Sequence, residues 1–160
     1  LRIKTFIENQ MRVVIQRVKN SSVEIDNKLK SEIGRGLLVL VGICENDNKI
    51  DVEWLVNKIL NLRIFNDKEG IMNNSVIDIK GEVMIVSQFT LMALTKKGNR
   101  PSYIKSASHK IAIPLYDFFI KMFEEKINNR VKSGIFGAEM KVSLVNDGPV
   151  TIIIDSINKE

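Results

Sequence analysis

The 160-residue chain holds one cysteine, one histidine, one tryptophan and three prolines. Each scarcity closes a route. Cys44 has no second thiol to pair with, so the core must hold the fold, and a reducing compartment fits best. Its setting, LLVLVGIC, reads as a strand end and predicts a plain buried thiol. Metal centres draw on clustered histidine, cysteine or carboxylate ligands, and no such spacing occurs, so no metal is expected. His109 in SASHK stands beside no evident nucleophile, which disfavours Ser-His-Asp or Cys-His chemistry and predicts a solvated loop residue. Asp47, Asp51, Glu124 and Glu125 are expected to face water. Neither GxxxxGKS nor GxGxxG is present, and no nucleotide cofactor is implied. No apolar run approaches the roughly 20 residues that span a bilayer as a helix. The opening LRIKTFIENQ carries Arg2, Lys4 and Glu8 and lacks the apolar centre of a secretory signal, so the cytoplasm is the expected location. An enzyme built from this sequence has to work without metal, cofactor or a strong side-chain base.

What is present is ordinary globular composition, 44% hydrophobic and 27% charged. The net charge of +5 leans toward a polyanionic partner. MRVVIQRV from Met11 reads as the start of the fold. Residues 1–10 are expected to be an extension outside it, and residues 11–160 to form a single domain.

Val13, Ile15 and Arg17 alternate with Val14, Gln16 and Val18, which is strand periodicity, and Asn27-Lys28 supplies turn chemistry. GLLVLVGI (Gly36 to Ile43) is the continuous apolar run of a fully buried strand. Several N-caps in ENDN precede Val52, Leu55, Val56, Ile59 and Leu62 at helical spacing, predicting a helix from about Ile50 to about Leu60. EVMIVSQFT reads as a buried strand and TKKGNRP as a basic loop. Ala112, Tyr116, Phe119, Phe123 and Ile127 share one helical face. They predict a second helix from about Ile111 to about Arg130, with Pro114 in its first turn. MKVSLV and VTIIID close the chain as strands. The expected class is α+β, with mostly antiparallel strands curling into a barrel or sandwich around two main helices.

Two segments carry chemistry. VMIVSQFTL is an apolar strand that stops at Ser87, Gln88 and Thr90. Its freed backbone N–H groups could form an oxyanion hole; the bland alternative is a strand fraying into a polar turn. Gly148-Pro149 sits badly at the entrance of the strand VTIIID, because proline removes a ladder donor and glycine weakens a strand. Taken alone, it reads as a simple turn between two strands.

Together, SQFTL and NDGPVT resemble the paired motifs of the D-aminoacyl-tRNA deacylases. The likeness extends through MRVVIQRV, GLLVLVGI, ILNLRIFND, TKKGNRPSY and GIFGAEMKVSLVNDGPVT. The resemblance implies a cytoplasmic homodimer that hydrolyses the ester joining a D-amino acid, or glycine, to the 3′ end of tRNA. It implies that Ser87, Gln88, Phe89 and Thr90 line the pocket. Gly148 and Pro149 would be a cis-proline turn reaching into the partner subunit's pocket, with Arg17 fixing that turn. Lys96, Lys97 and Arg100 would steer the acceptor end of the RNA through its phosphates. Leu94 departs from an acidic residue common in relatives, and Tyr103 from a common phenylalanine. An aminoacyl ester is already activated and has a neighbouring ribose 2′-hydroxyl, so positioning and an oxyanion hole could suffice. Thr90 as an acylated nucleophile is the alternative. The rival readings are a nucleic-acid-binding protein without catalysis and an inert structural dimer.

Overall fold

The computed structural model describes residues 10–159. All but the last residue of the expected 1–10 extension therefore lies outside the described residues. The strands are β1 (Arg12–Ile25), β2 (Lys28–Ile33), β3 (Gly36–Gly42), β4 (Phe65–Asn66), β5 (Met72–Asn74), β6 (Glu82–Ser87), β7 (Val131–Ser133) and β8 (Lys141–Asp155). Helix α1 (Lys49–Asn61) lies between β3 and β4, and α2 (His109–Ile127) between β6 and β7.

β1 organises the sheet because it is long enough to serve several partners. Arg12–Val18 pairs antiparallel with β3, Ser21–Ile25 pairs antiparallel with β2, and β8 runs antiparallel along its other edge. The β1–β2 turn falls at Asp26-Asn27, one residue before the expected position. Both residues have positive φ (52° and 59°), as a two-residue hairpin turn requires.

β3, β6 and β7 are parallel to one another, so the sheet is mixed, with the antiparallel ladders of β1 to β2, β3 and β8 predominating. An apolar run such as GLLVLVG is buried on both faces and reads alike in either orientation. The orientation is set by the connections: α1 lies in the β3–β6 crossover and α2 in the β6–β7 crossover. The six strands follow the order β2-β1-β3-β6-β7, with β8 on β1. The path curls back on itself into a nearly closed barrel, and the Ser31 hydroxyl of β2 donates to the Ser133 carbonyl of β7 at 2.8 Å.

Two cores result. The helices bury Leu55, Ile59, Phe119 and Phe123 against Val13, Ile15, Val39 and Ile85 on one face. The inside of the curl is filled by Val18, Val23, Leu38 and Met84. α1 starts at Asn48, whose side chain accepts the Ile50 N–H at 2.8 Å, while Asp51 reaches back to the Asn48 N–H at 2.9 Å. α2 starts earlier than the apolar spacing indicates. The Glu45 carboxylate accepts the Ser108 N–H at 2.8 Å, so the helix opens at His109 and Pro114 falls beyond the first turn. Glu124 and Glu125 are exposed as expected, but Asp47 is 7% exposed, not water-facing. A tight turn, Asp47 N–H to Cys44 carbonyl at 3.1 Å, folds its carboxylate back under the chain. Cys44 is buried, its Sγ 3.0 Å from Met92 Sδ.

MKVSLV and VTIIID are halves of a single strand, β8, not two strands joined by a turn. Gln16 pairs with Thr151 and Val18 with Asn146, so Arg17 alone faces four residues, Asp147 to Val150. The Gly148-Pro149 pair is the tip of that looped-out corner, and its peptide bond is cis.

Candidate active site

β6 ends at Ser87, where the Gln88 N–H makes a last bond to the Val41 carbonyl at 2.7 Å. The chain then tightens into a short 3-10 turn over Phe89–Met92. The first N–H groups of such a turn have no partner within it. Those of Phe89 and Thr90 meet no acceptor among the described residues. Gly42 lets the turn pack this close to β3: a Cβ there would lie 2.9 Å from Leu91 Cβ and 3.1 Å from the Gln88 carbonyl oxygen.

Beside the turn opens a cavity of about 450 Å³, lined by the ends of β3 and β6, the lead-in to α2 and the segment after β7. Ser87, Gln88 and Phe89 form one wall, and Phe136 stands among the residues lining it from after β7. The wall behind is anchored at one atom. The Ile85 carbonyl accepts both the Tyr116 hydroxyl and the Gly134 N–H, each at 3.1 Å. Burial pushes the Tyr116 phenol well above its ordinary pKa, so it stays a proton donor.

Thr90 is not among the lining residues, but it belongs to the same cluster: the Gln88 side-chain amide donates to its Oγ1 at 2.5 Å. That partner is a donor, and no imidazole, amine or carboxylate bonds to the hydroxyl among the described residues. The arrangement offers hydrogen-bond donors along one wall of a largely apolar cavity, without a nucleophile–base pair among the described residues.

His109 is exposed, as expected, but it is the first residue of α2, not part of a loop, and it lines the cavity. Its ring stands edge-on to Phe136 at 5.5 Å and 90°. Sequence reasoning missed it. Counting the helix from Glu45's capping partner Ser108, rather than from the first apolar residue, would have placed it there.

Arg17 is 8% exposed and lies beneath the looped-out corner of β8. Its Nε donates to the Asp147 carbonyl at 2.8 Å and its Nη1 to the Ile64 carbonyl at 2.6 Å. Asn146, which the sequence reading did not single out, fastens the base of the corner: its Oδ1 accepts the Val150 N–H at 2.8 Å. Gly148 has φ 145°, and a Cβ there would meet Val150 Cγ2 at 2.8 Å and Arg17 Nη2 at 3.1 Å. Glycine is required at that position. Gly148 and Pro149 are exposed and do not line the cavity of their own chain. The fold thus assembles the Ser87–Thr90 cluster and the Arg17–Gly148–Pro149 corner as two separate units.

Lys96, Lys97 and Arg100 are exposed on a loop pinched by Leu94 and Ser102, whose N–H and carbonyl groups pair at 2.8 and 3.0 Å. That loop follows the 3-10 turn directly. No helix of the described residues is long and apolar enough to cross a membrane.

A family model described as D-Tyr-tRNA(Tyr) deacylase matches residues 14–155. A D-aminoacyl-tRNA deacylase of Flavobacterium psychrophilum is 63% identical over 150 residues, 94% of this chain and 100% of that protein. One of Parabacteroides distasonis is 60% identical with the same coverage. A solved structure described as c-Myc DNA Unwinding Element Binding Protein superposes with TM-score 0.85 at 40% identity, covering 89% of this chain and 97% of that one. A second, described as a probable eukaryotic D-amino acid tRNA deacylase, has TM-score 0.80 at 20% identity over 91% of this chain, a likeness of fold.

Proposed function

We propose, from the premise that the chain belongs to the D-Tyr-tRNA(Tyr) deacylase family and is a hydrolase of the D-aminoacyl-tRNA deacylase kind, that residues 11–160 form a cytoplasmic homodimer that clears D-aminoacyl and glycyl esters from the 3′ end of tRNA. The observation that carries this reading is the largely apolar cavity beside Ser87–Thr90, with polar groups along that wall and, among the described residues, no base bonded to the Thr90 hydroxyl. An activated ester needs little more than orientation and charge stabilisation. The N–H groups of Phe89 and Thr90 would hold the developing oxyanion, each donor contributing roughly 3 kcal/mol, with Ser87 and Gln88 positioning the substrate. Water attacks with help from the substrate's own 2′-hydroxyl.

Selectivity is assigned to Gly148 and Pro149 of the partner subunit. The α-amino group of the substrate is held by one main-chain carbonyl of the corner. The other fills the space into which an L-side chain would project. Main chain braced by Arg17 and Asn146 cannot turn aside as a side chain can, so L-substrates are rejected by exclusion. This is supported by the corner's exposure away from its own cavity. It is also supported by β8, a 15-residue edge strand paired only with β1, which leaves Val145 and Ile153 46% and 65% exposed. Lys96, Lys97 and Arg100 would hold acceptor-end phosphates.

The test is to incubate the protein with D-tyrosyl-, glycyl- and L-tyrosyl-tRNA, without added metal, and follow ester loss. Loss of the first two with sparing of the third is expected. Retention of all three together with tight RNA binding would favour nucleic-acid binding without turnover. Gel filtration checks the dimer.

A further inference from the structure

Between Glu82 and Asp117 the chain carries no acidic residue and five cations: Lys96, Lys97, Arg100, Lys105 and Lys110. That equals the net charge of the whole protein, +5. The same segment exposes an apolar cluster. Phe89 is 57% exposed, Tyr103 38% and Ile104 83%, and the Phe89 and Tyr103 rings meet edge to face at 5.0 Å and 72°. An exposed aromatic pair has no reason to persist in water by burial alone. Here it is held by main chain on both sides. The Ser106 hydroxyl donates to the Phe89 carbonyl at 3.2 Å, the Ser106 N–H to the Tyr103 carbonyl at 2.9 Å, and the Leu94–Ser102 pair closes the loop behind.

Phe89 also lines the cavity, so the platform begins at its mouth. An exposed aromatic pair, in a segment that carries five cations and no carboxylate of its own, fits an unpaired nucleic-acid strand. Such a strand offers base faces to stack and phosphates to neutralise, and its binding is tolerant of sequence.

We infer that Phe89, Tyr103 and Ile104 form a stacking platform for the unpaired nucleotides immediately preceding the aminoacylated one, with Lys96, Lys97, Arg100 and Lys105 bracketing their phosphates. The inference rests on the deacylase reading, and adds to it a subsite outside the reaction cavity that recognises strand rather than amino acid. It makes the enzyme prefer a long substrate over the bare aminoacyl-nucleoside.

The experiment compares kcat/KM on D-tyrosyl-tRNA with that on D-tyrosyl-adenosine, and in parallel the affinity for a short unpaired RNA oligonucleotide. Tyr103→Ala should lower the tRNA-to-adenosine ratio by about 5- to 100-fold, the range for loss of one aromatic stack. Tyr103→Phe should keep the ratio, and Ile104→Ser, at a site too exposed to affect folding, should lower it less. The oligonucleotide should bind more weakly to Tyr103→Ala in the same proportion. An unchanged ratio and unchanged oligonucleotide affinity in both Tyr103→Ala and Ile104→Ser overturns the platform. If the unaltered protein cleaves neither ester, the deacylase reading fails instead. The oligonucleotide measurement then decides the platform alone: weaker binding by Tyr103→Ala upholds it, and equal binding overturns it.

Discussion

Asp47 allows a stability effect to be worked out from the structure and then isolated. Its Oδ2 accepts the Cys44 N–H at 2.6 Å, while the buried Oδ1 has no partner. Burial, helped by the nearby Asp51 charge, outweighs the lowering by the main chain of Cys44 and Met11 and pushes the carboxyl from 3.8 up to about 7. The unfolded chain keeps the ordinary value, so between about pH 4 and pH 7 folding takes up a proton at this site. The sign follows: the contribution is fully present below pH 4 and is lost as pH rises through 7. A displacement from 3.8 to about 7 corresponds to about 4 kcal/mol at full ionisation. Asp47→Asn keeps the acceptor for Cys44 and removes the charge, at a fixed cost for placing an amide against the unpartnered side. Urea unfolding of both proteins at pH 5, 6, 7 and 8, at one ionic strength, separates the two terms. The fixed cost cancels in the change of ΔΔG between pH 5 and pH 8. That change should favour the variant by about 2–4 kcal/mol with m unaltered. Parallel pH profiles for the two proteins would refute the assignment of a buried, neutralised carboxyl.

Three further outcomes test the site. Thr90→Ala should fold normally and retain turnover within about tenfold in kcat, since its hydroxyl receives a bond from Gln88 and gives none to a base; complete loss with intact substrate binding would restore the nucleophile reading. Gly148→Ala, at φ 145° and with Val150 Cγ2 2.8 Å from the new methyl, should lower stability by about 1–3 kcal/mol. It should also raise L-tyrosyl-tRNA cleavage relative to D, read in the three-substrate assay. Arg17→Met leaves the Asp147 and Ile64 carbonyls without their donor and should cost about 2–4 kcal/mol by denaturant melt. Its effect on D/L discrimination should exceed its effect on kcat for the D-ester.

Much of the fold was readable because the apolar spacing is strong. α1 was placed to within a residue at each end, because five buried positions repeat along it and Asn48 caps it. The orientation of β3, β6 and β7 was not readable. A strand buried on both faces carries no alternation, and only its connections reveal which way it runs. The exposed ends were less secure for the opposite reason. The start of α2 is decided by Glu45, more than sixty residues away in the chain. The same long reach hid Asp47, whose burial comes from a turn and not from its neighbours' hydropathy. Ser87 to Thr90 were readable as a cluster because the strand stops there in polar residues. Gly148-Pro149 was readable as an oddity, but its form as a bulge opposite Arg17 was not, since both halves of β8 pair with one strand and no turn residue separates them. Asn146 was overlooked because it acts through position alone, and His109 was assigned to a loop because the start of α2 was read too late.

The bulge sits where the β1–β8 ribbon passes from one interior to the other. Along β1, Val13 and Ile15 point toward the helices, whereas Val18 and Val23 point into the curl. On β8, Ile152 and Ile154 pack on the helix side, and Val142 and Leu144 on the other. The two-strand ribbon therefore changes allegiance at Arg17–Val18, and the extra residues of β8 are extruded at that crossing. At that crossing four residues leave the ladder between the two interiors. The corner therefore stands on a seam between the two interiors, tied to the sheet by the hydrogen bonds of Arg17 and Asn146.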